Sequence, residues 1–222
     1  MEFKIEGLSL RQDKCAMKIG TDGVLLGRWA NATLSDADAN GGRNILDIGT
    51  GTGLLALLLA VRYPEAKITA IDIDKGAYEQ AKDNIERNEL QQRVVAKHCA
   101  LQDFLNESEA AAYQMIICNP PYFQNALKCP DAQRSLARHT DSLSFQELFH
   151  AAATLLTASG TISLIIPAEA KGDVDYAAAL AGLFPSRICS VKTTPRKPVR
   201  RYLLEFSKQP ITIETTEITI NK

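Results

Sequence analysis

The segment Asp47-Ile48-Gly49-Thr50-Gly51-Thr52-Gly53 restricts the fold more than any other in the chain. It ends a short apolar run, Asn44–Ile48, and opens a longer apolar block, Leu54–Val61, that reads as a buried helix. Glycines between a strand and a helix permit a tight turn and a close backbone approach to a ligand. The dinucleotide pattern needs glycine at the first, third and sixth places, and the sixth place here is Leu54. No Gly-Lys-Ser/Thr follows, so the loop is not a nucleoside-triphosphate cradle either. The next strand-like run, Lys67–Ile71, ends at Asp72. An acid there is placed to accept hydrogen bonds from two ribose hydroxyls. Asp74 is the better candidate for capping the helix that follows.

Strand and helix patterns alternate from there on. Ala77, Ala81 and Ile85 recur at helical spacing, Val94–His98 is a weaker strand, and Met115–Cys118 is a short buried one. Ser144 and Glu147 have the spacing of a capping box, and Phe145, Leu148, Phe149, Ala152, Leu155 and Leu156 follow on one helical face. Gly160 stands where that helix should end, before a strand over Thr161–Ile166. Asp173–Leu183 reads as a helix, and Ile188–Thr193 and Tyr202–Phe206 read as an antiparallel strand pair at the sheet edge. This order predicts an α/β fold of Rossmann-like class. It has a seven-stranded, mostly parallel sheet with an antiparallel last strand and helices on both faces. The 222 residues are expected to form one domain, with an N-terminal segment and link over 1–42 and the core over 43–222.

The loop Asp-x-Gly-x-Gly-x-Gly resembles the cofactor loop of class I methyltransferases. That resemblance implies S-adenosylmethionine as cofactor, with Gly49, Gly51 and Gly53 beside its amino-acid end and Asp47 orienting its ammonium. It also places Asp103, just past the third strand, at the adenine amino group. Asn119-Pro120-Pro121-Tyr122 follows the fourth strand directly and is the most specific motif present. The lone pair of a planar amino nitrogen is delocalised, so that nitrogen is a poor nucleophile. Two acceptors aimed at its hydrogens, the Asn119 side-chain oxygen and the Pro120 carbonyl, favour pyramidalisation and position it for in-line attack. Tandem prolines stiffen the geometry. Tyr122 can stack on a flipped base. The tetrad is shared by adenine-N6, cytosine-N4, guanine-N2 and glutamine-N5 methyltransferases, so it fixes reaction type better than substrate. No metal is needed.

The net charge is −1, but it is unevenly spread. Between Arg187 and Lys208 seven basic residues face Glu205 alone, a net of +6. Such a stripe is a candidate phosphate-binding face, with a solvated loop as the bland alternative. The five cysteines are scattered with no Cys-x-x-Cys pair, so neither a zinc site nor a disulfide framework is indicated, and a reducing cytoplasm is the simple reading. There is no signal peptide pattern and no run long and apolar enough to span a membrane.

The segment Asp13–Gly27 is similar to the opening motif of the bacterial methyltransferases that act on N6 of adenosine 37 in tRNA1(Val). The likeness continues through the glycine loop, Asn119–Tyr122, Arg138-His139-Thr140 and Arg200–Phe206, so it spans nearly the whole chain. It implies a tRNA partner, with Lys18, Thr21 and Asp22 over the methionine end of the cofactor, where Lys18 would pair its carboxylate. It also implies Asn119 at both cofactor and target. Pro121, Arg138, Arg196, Lys197, Arg200 and Arg201 fall on the RNA side. A monomer is expected. The chain departs from the pattern at Ile5-Glu6-Gly7-Leu8, where an aromatic Lys-Gln stretch is usual, and at its end, where an aromatic tail is usual. Two alternatives stay open: an N5-glutamine methyltransferase acting on protein, and a non-catalytic RNA-binding relict.

Overall fold

The structure is a computed structural model that describes residues 2–31, 43–120 and 143–221. The chain begins with a hairpin, β1 (Glu2–Ile5) and β2 (Leu8–Arg11), paired antiparallel. Its two turn residues, Glu6 and Gly7, have φ of 50° and 82°. Both positive values match the twist of a two-residue hairpin. Helix α1 (Thr21–Trp29) follows. The alternating part then runs β3 (Arg43–Ile48), α2 (Leu54–Arg62), β4 (Ala66–Asp72), α3 (Lys75–Arg87), β5 (Val94–His98), α4 (Leu101–Glu107) and β6 (Tyr113–Cys118). After it come α5 (Phe145–Leu155), β7 (Leu156–Pro167), a 3-10 turn, α6 (Lys171–Leu180), β8 (Phe184–Lys192), β9 (Val199–Ser207) and β10 (Glu214–Thr219).

The main sheet has the order β10-β8-β9-β7-β6-β3-β4-β5. Strand β9 is antiparallel to both β7 and β8, and the other pairings are parallel. Seven strands thus have the expected arrangement, with Tyr202–Phe206 antiparallel. The sheet has an eighth strand, however. Glu214–Thr219, within the stretch that carries Ile211, Ile213, Ile218 and Ile220, forms β10, which pairs with β8 and takes the edge expected for the β8–β9 pair. Among the described residues no helix is long and apolar enough to cross a membrane.

Successive strand residues point to opposite faces, and the core divides accordingly. Ile45, Ile68, Met115 and Ile165 face α1 and α2, while Leu46, Ile71, Ile116 and Leu164 face α4, α5 and α6. Seven of the nine residues of α2 are buried, hence its nearly all-apolar sequence. Helix α1 crosses it at Gly23 and Gly27. A Cβ at Gly23 would lie 3.0 Å from the Leu54 side chain, and one at Gly27 would lie 2.6 Å from that of Leu58.

Local signals specified the caps correctly. The Ser144 hydroxyl accepts the Glu147 N–H at 3.2 Å, and the Glu147 carboxylate accepts the Ser144 N–H at 2.9 Å. The Asp74 carboxylate accepts the Ala77 N–H at 2.8 Å. Gly160 is a correction. Helix α5 ends at Leu155 and the chain enters β7 at once. Gly160 lies within β7, where pairing with β6 shifts between Tyr113 and Met115. A Cβ there would be 2.8 Å from the Tyr113 carbonyl oxygen. The glycine serves a close strand-to-strand approach rather than a helix end.

Strand order reverses at β3. The chain moves outward to β4 and β5, then crosses to β6 on the other side. Ligands of open α/β sheets bind beyond the carboxyl ends of the strands at such a switch.

Candidate active site

A cavity of about 330 Å³ lies at that switch, within the usual range of small-molecule sites of roughly 300–1,000 Å³. Its floor is the ends of β3, β4 and β6: Ile48 and Gly49, Ile71 and Asp72, Cys118 and Asn119. The glycine loop is tied down by its own backbone. The N–H groups of Gly49 and Thr50 both donate to the Ile71 carbonyl, at 2.9 and 3.0 Å. Gly49, Gly51 and Gly53 have φ of 70°, 56° and 82°, the left-handed region that side chains disfavour. Gly53 also meets α3, since a Cβ there would be 3.4 Å from Ala81.

Asp72 sits at the rim. One carboxylate oxygen accepts the Gly51 N–H at 2.8 Å and the other accepts the Asp74 N–H at 2.9 Å. Each oxygen retains a second acceptor site. Burial pushes its carboxyl above the ordinary range, while the two N–H donors pull it back. Ile73, 60% exposed, and Met17, 51% exposed, flank it with apolar surface.

Asp47 is fully buried and is not among the residues lining the cavity. One of its oxygens accepts the Thr50 hydroxyl at 2.6 Å and the Ala56 N–H at 3.2 Å. It thereby clamps the loop to the start of α2. The other oxygen, Oδ1, is buried without a hydrogen-bond partner. Loss of hydration pushes this carboxyl up to about 7, despite the two donors. The folded state therefore disfavours the ionised form. That penalty is absent below the unfolded value near 4, grows as pH rises, and is complete above about 7. Asp47→Asn carries no such charge. Its melting temperature should gain on that of the parent between pH 5 and pH 8, by about 2–4 °C per kcal/mol recovered. Thermal melts of both proteins across that range test this, and a constant difference would refute it.

Asn119 lines the cavity at the end of β6, and Pro120 behind it is buried. A Cβ on Gly23 of α1 would stand 3.9 Å from the Asn119 amide nitrogen, so α1 approaches the same spot. Pro121, Tyr122, Arg138 and His139 lie outside the described residues.

The N-terminal segment reaches the cavity through Cys15, Ala16 and Met17, none of which stands out in the sequence. Lys18, Thr21 and Asp22 are not among the lining residues. Lys18 donates to the carbonyls of Gln12 and Cys15, at 2.5 and 3.0 Å, and so closes the turn that carries Cys15–Met17. Asp22 accepts from Arg201 at 2.9 Å. Asp103 is exposed on the first turn of α4 and also lies off the lining. Its neighbours Ala100, Leu101 and Gln102 form that wall instead. The Gln102 amide donates to Glu147 at 2.7 Å, a residue of α5 that also lines the cavity. Gln102 and Glu147 meet only in three dimensions, and no sequence spacing announces the pair.

The basic stripe is smaller than its sequence charge. Arg187 pairs with Glu205 at 3.2 Å and Glu214 at 3.5 Å, and stacks on Trp29 at 4.3 Å. Lys192 pairs with Glu217 at 2.7 Å, Arg201 with Asp22, and Lys208 donates to the Leu156 carbonyl. Asp22, Glu214 and Glu217 come from outside the stripe, so counting Glu205 alone overstated the net charge. Arg196, Lys197 and Arg200 remain exposed. They lie on or beside the connection from β8 to β9, at the sheet edge where β3, β4 and β6 also end.

Comparison with known proteins agrees with this architecture. The chain matches the Methyltransferase small domain family over residues 30–192. It is 40% identical over 221 residues to the tRNA1(Val) (adenine(37)-N6)-methyltransferase of Trichodesmium erythraeum, covering 99% of this chain and 89% of that one. The protein of the same name from Phocaeicola vulgatus is 44% identical over 204 residues, covering 92% and 82%. Among solved structures, a predicted O-methyltransferase from Agrobacterium tumefaciens superposes with a TM-score of 0.64 at 18% identity, covering 90% of this chain and 86% of that one. M. jannaschii TYW2, solved with AdoMet, superposes with a TM-score of 0.58 at 12% identity, covering 94% and 86%. These two show the fold. A methyltransferase domain match and relatives of 40–44% identity over most of their length together show that the chain belongs to the tRNA1(Val) (adenine(37)-N6)-methyltransferase family.

Proposed function

We propose that the cavity binds S-adenosylmethionine and that the chain methylates the exocyclic N6 of adenosine 37 in a valine tRNA. The observation that carries the reading is Asn119 at the floor of the same cavity whose rim holds the Asp72 carboxylate. The residues fit the cofactor. Asp72 has acceptor capacity for a ribose diol, and Ile73, Leu101 and Ala100 offer apolar surface to a flat ring. The unpaired oxygen of Asp47 leaves an acceptor behind the loop, toward an ammonium reached through water or loop movement.

When bound, S-adenosylmethionine supplies an electrophilic methyl on a sulfonium. The chain's contribution is to the nucleophile. The Asn119 side-chain oxygen and the Pro120 carbonyl accept the two amino hydrogens of the adenine, which turns its lone pair out of the ring plane. Once that methyl is gained in exchange for its bond to sulfur, the nitrogen would carry an extra proton, which this arrangement of acceptors would leave free to pass to water. No side-chain base is required, because the methylated amine is acidic until that proton leaves. Stacking on the extruded base is assigned from the sequence motif to Tyr122, which lies outside the described residues.

Arg196, Lys197 and Arg200 meet phosphates beside the opening, which fixes position without reading sequence. Arg201 is assigned instead to α1, because its guanidinium is held by Asp22. The double variant Arg196→Ala/Lys197→Ala should weaken tRNA binding and lower the salt slope by about one unit per lost contact. Cofactor binding should survive, since both side chains are exposed. The measurement is tRNA affinity over a salt series, and identical slopes would show the stripe to be solvated surface. The chemistry itself is tested on total unmodified tRNA, where nucleoside analysis should return N6-methyladenosine.

A further inference from the structure

Three amide side chains stand about one turn apart, Gln80 and Asn84 on α3 and Asn88 at its C-terminal cap. Their oxygens accept the backbone N–H groups of Lys14 at 2.9 Å, Arg11 at 2.7 Å and Ser9 at 2.9 Å. The amide nitrogens of Asn84 and Asn88 donate back to the carbonyls of Arg11 at 2.8 Å and Ser9 at 3.0 Å. One edge of β2 and the chain after it are therefore satisfied by helix side chains, in place of another strand. The spacing permits this. Four helix residues rise about 6 Å, and two strand residues rise about 6.8 Å.

The ladder ends at the cavity. Asn84 is fully buried, and its amide nitrogen also donates to the Thr52 carbonyl of the glycine loop at 2.8 Å. One side chain thus joins the N-terminal strap to the loop. Directly after Lys14, the strap delivers Cys15, Ala16 and Met17 to the cavity wall. At Gly76 the passage is tight: a Cβ there would be 2.7 Å from the Lys14 carbonyl oxygen. The fixed turn held by Lys18 carries that position forward to Met17.

We infer that Gln80 and Asn84 are positioning residues for the cofactor. The ladder sets the strap as one wall of the site, and cofactor occupancy and ladder closure stabilise each other, as linked equilibria must. This rests on the cavity being the S-adenosylmethionine site. Binding of S-adenosylhomocysteine to the unaltered protein is therefore measured first, and no binding would overturn that reading itself.

With binding established, backbone hydrogen exchange at Arg11 and Lys14 should slow by about tenfold on saturation with S-adenosylhomocysteine, because opening of the strap is then linked to ligand loss. Gly76→Ala should weaken that ligand by about tenfold and raise KM for S-adenosylmethionine, with kcat within about threefold, although alanine is the better helix former. Gln80→Leu should act in the same direction, through the lost acceptor. Asn88→Leu, at the far end of the ladder, should leave affinity within about twofold. The inference is overturned by exchange that ignores the ligand, or by a Gly76→Ala protein that binds like the parent. It is equally overturned if Asn88→Leu weakens binding as much as Gln80→Leu, which would make the ladder a fold element only. The exchange measurement needs no variant and stands even where a substitution at buried Gln80 prevents folding.

Discussion

Asn119→Ala should lower turnover by about 10²-fold or more, the usual cost of removing one positioned group that acts only in the transition state. Cofactor affinity should stay within about threefold. Asn119 stands at the end of β6, a strand buried from Gln114 to Cys118, so its backbone position is fixed by the sheet and survives truncation. What would disappear, on the proposed function, is one of the two acceptors assigned to draw the target amine out of conjugation. The other, the Pro120 carbonyl, is main chain and remains. The fall should therefore appear in kcat and kcat/KM together, the signature of an interaction made only in the transition state. Single-turnover rates with saturating tRNA are the measurement. A rate within a few-fold of the parent would remove Asn119 from the chemistry.

Asp72→Ala should weaken S-adenosylmethionine by about 1–3 kcal/mol, the range for losing hydrogen bonds to a charged acceptor. That is about 5- to 150-fold in affinity. Two effects combine. The ribose would lose its acceptor, and the N–H groups of Gly51 and Asp74 would lose the partner that holds the loop in place. Asp72→Asn retains one acceptor oxygen and the shape, so it should fall between the parent and Asp72→Ala. Calorimetry with S-adenosylhomocysteine distinguishes the three. Equal affinities would mean that the ribose is held elsewhere.

The legible features were those written in local chemistry. Asp47–Gly53 announced a strand, a turn and a helix because only left-handed backbone makes that turn. Asp74 and the Ser144/Glu147 pair announced helix starts because caps act within one turn. What escaped depends on chain segments far apart in sequence. Arg201 read as a phosphate ligand, yet it meets Asp22, 179 positions away. Arg187 counts toward the basic stripe in the sequence, yet it is shared by Glu205, Glu214 and Trp29. Gly160 read as a helix end, since a glycine required by a neighbouring strand's carbonyl carries the same letter. Asp103 attracted notice as an acid, while the wall is made by Gln102, neutral and held by a helix not adjacent in sequence. The extra strand β10 is mostly exposed at the sheet edge, so its apolar signal is weak.

This chain carries a methyl group from S-adenosylmethionine to N6 of one adenosine beside a tRNA anticodon. The most direct measurement is transfer of labelled methyl to an unmodified valine tRNA transcript, alongside the same transcript with guanosine in place of adenosine 37. Label is expected in the first transcript alone, recovered on digestion as N6-methyladenosine. Equal label in both transcripts, label recovered as another methylated nucleoside, or label passing only to protein glutamine would contradict it.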